Sequence, residues 1–176
     1  MLMQRIPVEG TRTASIVPPL SVHNTKFAFT GETRKCFGET LYRIVALRDF
    51  GVVKKGEKGG FVAREENLDT DENAWIGGEA TVCGEARVSG NAVVYGNALV
   101  SMRAKVRGNA RVLDNARVLG VAKLSGNVCF CGTAQLLYEE ISTGTYSSIK
   151  QIYGARGYLA RKERLKKKEL QVQLRG

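Results

Sequence analysis

Asn73 to Tyr138 reads NAWIGG EATVCG EARVSG NAVVYG NALVSM RAKVRG NARVLD NARVLG VAKLSG NVCFCG TAQLLY, a period of six sustained over eleven blocks. A small residue recurs at Ala74, Ala80, Ala86, Ala92, Ala98, Ala104, Ala110, Ala116, Ala122, Val128 and Ala134. Two places later stands a larger apolar one: Ile76, Val82, Val88, Val94, Val100, Val106, Val112, Val118, Leu124, Phe130 and Leu136. A short repeat of this kind implies a stacked array, because no single unit can bury its apolar face alone. A helix is excluded, since positions six apart would lie about 240° apart around its axis and scatter the valines. Short strands separated by corners fit: the alanine and the β-branched residue point inward, and the residues flanking the valine point outward. Gly, with Asn or Glu after it, turns the chain, Gly and Asn being tolerant of positive φ.

These hexads resemble the hexapeptide-repeat, left-handed parallel β-helix proteins, in which three hexads make a triangular coil of about eighteen residues. The resemblance implies an all-β fold: a short left-handed parallel β-helix of three to four coils, with an N-terminal β cap and a C-terminal basic α-helix. Ahead of the repeat, the string RIVALRDFGVVKKGEKGGFV (43–62), then ENL and a Trp-Ile hexad, resembles the head of a bacterial and phage family of β-helix proteins described as transferase-like from fold alone. Similarity spans about residues 25 to 138 and implies fold more firmly than activity.

The chain divides into a flexible arm over 1–24, a cap over 25–72, the repeat over 73–138, and a linker with a basic helix over 139–176. The arm lacks apolar periodicity and contains Pro18 and Pro19. The cap is expected because a first coil would otherwise expose strand edges and apolar side chains. From Thr145 to Gly176, nine Lys or Arg face Glu163 and Glu169, which places +7 of the chain's net +10 in the tail. No apolar h-region opens the chain and no stretch is long enough to span a bilayer, so a cytoplasmic location is expected. Cys36, Cys83, Cys129 and Cys131 form no C-x-x-C pair, and the repeat accounts for folding without disulfides.

Acyltransferases of the resembled fold carry a histidine base in a groove between subunits. Here the single histidine is His23, in the arm, where a general base could not be held against a substrate. No insertion carrying catalytic residues interrupts the hexads, and metal-dependent hydratases of this fold need three histidines on zinc. The expectation is therefore a protein that is not an enzyme, with no catalytic residue, no cofactor and no metal site. Cys129 and Cys131 project from one face, but zinc wants four ligands, so they read as small apolar surface residues. GEKGG at 56–60 lacks Walker spacing and a following helix and reads as a turn. Flat threonine arrays, which ice-binding β-helices use, are absent: Thr81 and Thr133 do not make one.

Outward residues sort into columns, because hexads three apart lie above one another. Arg87, Lys105 and Lys123 make one column, beside Ser89, Arg107 and Ser125, so one side is basic. The other two sides are largely apolar, with Trp75, Val93, Tyr95 and Leu113 on one and Leu99, Leu119 and Leu137 on the other. Apolar strips of this kind call for a cover, either terminal segments of the same chain or a second subunit, and a homo-oligomer, trimer or dimer, is expected. Arg87, Lys105, Arg107 and Lys123 form the expected anion-facing side, joined by Arg161, Lys162, Arg164, Lys166, Lys167 and Lys168 of the tail. Charge and counterion release would draw nucleic acid or an acidic protein to them. Tyr153 and Tyr158 could stack on bases. The expected function is a self-associating scaffold or binding module for an anionic partner. An assembly or structural protein with no nucleic-acid role, such as a phage part, and an acyltransferase-like enzyme are the alternatives.

Overall fold

The computed structural model describes residues 18–147 and the backbone of Gln151–Ile152. In chain order the strands are β1 (Phe27–Cys36), β2 (Glu39–Ala46), β3 (Lys58–Val62), β4 (Trp75–Ile76), β5 (Thr81–Val82), β6 (Arg87–Val88), β7 (Val93–Val94), β8 (Leu99–Val100), β9 (Lys105–Val106), β10 (Arg111–Val112), β11 (Arg117–Val118), β12 (Lys123–Leu124), β13 (Cys129–Phe130), β14 (Gln135–Leu136), β15 (Glu140–Ile141), β16 (Thr145–Tyr146) and β17 (Gln151–Ile152). A single 3-10 turn, Glu65–Asn67, interrupts them, and no α-helix occurs among the described residues. The fold is a parallel β-solenoid of about five turns.

Three sheets form its walls, in the orders β1-β2-β3-β5-β8-β11-β14-β17, β16-β13-β10-β7-β4 and β15-β12-β9-β6. Between hexads, partners lie eighteen positions apart, as in Trp75↔Val93, Arg87↔Lys105 and Thr81↔Leu99. Backbone bonds run along the tube: Val93 N–H donates to Ala110 O at 2.9 Å and Arg111 N–H to Val128 O at 2.8 Å. Each two-residue strand is too short to hold itself, so its amides depend on the coils above and below. Every small residue and every larger apolar residue of the eleven hexads is buried.

Stacking does not stop at Tyr138. β15, β16 and β17 pair in parallel with β12, β13 and β14, although spacing shortens there, as in Lys123↔Glu140. At the other end β3 pairs with β5. These additions extend the stack beyond the three to four coils that the hexads supply. They were invisible to the six-residue period because strand pairing needs only backbone in register, not alanine at a fixed place.

Corner glycines take positive φ, among them Gly84 (67°), Gly96 (75°) and Gly108 (68°). Before the last hexad, which ends on Tyr138, two lack glycine there, and Met102 (64°) and Asp114 (58°) adopt the left-handed conformation in its place. Asp114 Oδ2 accepts a bond from Gly132 N–H at 2.9 Å, which suits a short polar side chain at such a corner. On a third corner Asn73, Asn91, Asn109 and Asn127 form an amide ladder, each Nδ2 donating to the next Oδ1 at 3.1, 3.2 and 2.9 Å.

The cap closes the tube's first end. Phe27, Ile44, Ala46, Phe50 and Val53 join the same apolar core as the repeat. Gly59 and Gly60 permit β3 to lie against the first coil, because a Cβ on Gly60 would stand 2.4 Å from Ala80 O. Buried Asn67 acts as a plug: its Oδ1 accepts from the N–H groups of Ala63 and Arg64, and its Nδ2 donates to Gly84 O and Ala86 O. Lys26 is fully buried and its Nζ donates to Asp69 O at 2.8 Å and Glu72 O at 2.6 Å, tying the start of β1 to the loop entering the first hexad. Burial pushes its ammonium pKa down to about 8.

The end of the N-terminal arm is tied down rather than free. Leu20 packs against the core, and Ser21 N–H donates to Glu65 Oε2 at 2.6 Å. Residues 1–17 and the basic helix expected in the tail, with Arg161, Lys162, Arg164, Lys166, Lys167 and Lys168, lie outside the described residues, as do Tyr153 and Tyr158.

Candidate functional site

Strand alternation carries the basic column. Arg87, Lys105 and Lys123 each precede an inward Val or Leu, so their side chains face solvent. They are direct partners in the parallel ladder: Arg87↔Lys105, then Lys105↔Lys123, then Lys123↔Glu140. Neighbouring strands lie about 4.8 Å apart. Two unit charges at about 5 Å repel by roughly 1 kcal/mol in water and roughly 3 kcal/mol near a protein surface. Like charges directly opposite one another therefore act against the sheet.

That repulsion is relieved at one end of the column only. Glu140, which lies past the last hexad, accepts Lys123 Nζ at 3.3 Å and Arg107 Nη2 at 3.4 Å. Arg87 and Lys105 have no ion-pair partner among the described residues. Of the four prism cations expected to face an anion, the structure thus compensates Lys123 and Arg107 and leaves Arg87 and Lys105 bare. Beside this bare end, between the 3-10 turn and the first coils, lies an open groove of about 510 Å³ lined by Arg64, Glu66, Asn67, Glu85, Ala86, Arg87, Arg103 and Lys105.

Sequence reasoning missed Arg64, Glu85, Arg103 and Glu140. Arg103 Nε meets Glu85 Oε2 at 3.1 Å across one coil, and Arg64 Nη2 meets Glu39 Oε1 at 2.9 Å. The Glu85 and Arg103 pair was readable, since the two occupy corner positions eighteen apart; sorting corners by coil, as the flat faces were sorted, would have found it.

The apolar strips differ from expectation at the cap end. Trp75, expected in an exposed strip, is only 3% exposed, because Phe50 of the cap packs edge-on against it with ring centres 5.4 Å apart. On the neighbouring wall Leu41, Phe61 and Cys83 form a second apolar cluster that also takes in Leu99. Arg34 and Arg43 stack on the Phe61 ring at 3.9 and 4.3 Å. Their charges are matched by Glu79 and Glu32, with Arg43 Nη2 2.7 Å from Glu79 Oε1 and Arg43 Nε 2.6 Å from Glu32 Oε2. Hydrogen bonds from Lys58 to Glu32 and from Arg43 to Glu79 hold these carboxyls below the usual range. Val93, Leu99, Leu113, Leu119 and Leu137 are half-buried, and Tyr95 is exposed.

The thiols are arranged for packing. Burial pushes Cys83 up to about 12 and raises Cys131, next to Cys129, so neither is a ready thiolate at neutral pH. Among the described residues no group of three or more His, Cys, Asp or Glu could hold a metal ion. His23 sits in an exposed turn where its backbone N–H donates to Ser21 Oγ at 3.1 Å. No described helix is long and apolar enough to cross a membrane. No family model matches this sequence, and no curated protein matches it.

Proposed function

We propose that this chain is a non-catalytic scaffold or binding module, a left-handed member of the hexapeptide-repeat solenoids, whose basic face and tail bind an anionic partner, nucleic acid in the first instance. The observation that supports this most is the ladder register of Arg87, Lys105 and Lys123, which stacks three cations on one rigid wall and leaves two of them without a counter-charge. A rigid row of cations attracts a polyanion by releasing its counterions, and this attraction needs no base reading. Purification at low salt, with light scattering and the absorbance ratio for copurifying nucleic acid, is the direct test. Binding is expected to fall steeply between low and moderate salt and to weaken on deleting residues 160–176. A protein that elutes free of nucleic acid at low salt, and binds none when offered it, overturns the reading.

Assembly is a second reading, favoured by the exposed side chains of Tyr95, Val121 and Tyr138 on the repeat. Self-association through the apolar walls is compatible with anion binding. A sharp oligomer that survives the tail deletion, with no nucleic acid retained, leaves assembly as the function.

A further inference from the structure

The cationic column is unequal along its length. Glu140 serves Lys123 and Arg107 at one end, whereas Arg87 and Lys105 at the other stand directly opposite each other with no carboxylate on either. Those two line the seam groove together with the guanidiniums of Arg64 and Arg103, against the carboxylates of Glu66 and Glu85. Glu85 is already engaged by Arg103. The groove's one carbon side chain is that of Ala86, and no aromatic lines it. A protein partner would find no apolar anchor there, and an interface of ordinary size, about 1,200 Å² or more, needs one. A nucleobase would find no ring to stack on. What the lining does suit is a compact oxyanion with several oxygens, since guanidinium forks pair best with such groups. The volume of about 510 Å³ is within the range of small-ligand sites.

We propose that the groove between the cap's 3-10 turn and the first coils seats a phosphoryl group, held by Arg87 and Lys105 with Arg103 beside them. The inference rests on the anion-binding reading of the basic face and narrows it to one place and one chemistry. The phosphoryl group belongs either to a small phosphate or to a phosphodiester backbone, and the test separates these sources.

The full chain is melted in inorganic phosphate and in chloride matched for ionic strength, and the half-saturating phosphate concentration is read from the shift. Phosphate is expected to raise the melting temperature above matched chloride. Arg87→Gln and Lys105→Gln are each expected to raise the half-saturating concentration at least about tenfold, as loss of one charge-assisted contact does. Lys123→Gln, at the compensated end, is expected to change it by less than about twofold. Without phosphate, Arg87→Gln should melt no lower than the parent, because it removes a like-charge contact. A marked drop there, a phosphate shift no larger than chloride's, or a half-saturating concentration in both groove variants unchanged from the parent's overturns the proposal. A short oligothymidylate is titrated in parallel. If it binds with steep salt dependence but ignores both groove variants, the phosphoryl seat falls and the broader basic-face reading stands. If phosphate obeys the variants and the oligonucleotide does not bind, the seat stands for small phosphates and the nucleic-acid reading falls.

Discussion

At Met102 a non-glycine residue holds φ of 64° on an exposed corner where nine other hexads place glycine or end the repeat. The left-handed conformation costs an ordinary L-residue roughly 1–2 kcal/mol. Met102→Gly should therefore stabilise the fold by about 1 kcal/mol after the added freedom of the unfolded chain is subtracted, as read from urea denaturation. Asp114→Gly should give no comparable gain, because Gly132 N–H loses its acceptor. Lys26 offers a test by pH. Its pKa falls from an ordinary 10.5 to about 8, chiefly through burial, so the unfolded chain binds the proton more tightly than the folded one between those values. The penalty of holding the charge inside is present below about 8 and fades as pH rises toward 10.5. The parent should thus gain stability relative to Lys26→Met across that window, in melts recorded from pH 7.5 to 10.5. A difference that does not vary with pH would rule out the buried ammonium as its source.

The strands of the coils are two residues long, so an element's integrity there depends on the layer it belongs to. Val100 and Val112 are fully buried, each between a buried Val of the coil before and one or another apolar residue of the coil after. Val100→Asp or Val112→Asp should prevent folding at room temperature, because an unpaired carboxylate in a dry core costs more than a domain's margin of stability. Circular dichroism that still shows a cooperative melt near the parent's would contradict the register. That register was legible from the sequence because alanine and valine repeat with a fixed interval and nothing interrupts it. The cap was legible only as strands: Lys26 and Asn67 are polar residues in aperiodic sequence, and their burial follows from carbonyls that the fold brings to them. The site was half legible for the same reason. Arg87, Lys105 and Lys123 sit in hexads and could be aligned by counting, whereas Glu140 lies beyond the period and its pairing depends on a shortened final coil. Counting hexads puts Trp75 in a column with Val93, but its exposure depends on where Phe50 falls.

As a whole the molecule is close to one-dimensional, with each coil touching only its neighbours apart from the capped first end. Local stability should therefore grade along the axis. Amides of the middle coils, such as Val94 and Val112, should exchange with solvent slowest. Those of Glu140–Ile141 and Thr145–Tyr146, where spacing departs from eighteen and Ile141 and Tyr146 are only half-buried, should exchange first. Native-state hydrogen exchange read by mass spectrometry or NMR checks this gradient, and uniform protection from cap to last strand would contradict it.

The asparagine ladder carries one more implication. Asn73, Asn91, Asn109 and Asn127 meet only because each is one full circuit from the next. Duplicating or excising a complete circuit would preserve the ladder, the valine layers and the cationic row together, while a graft of any other size would break all three at once. Such a chain can change length only in quanta, each lengthening the tube by about 4.8 Å and moving the compensated end of the row that much farther from the bare one.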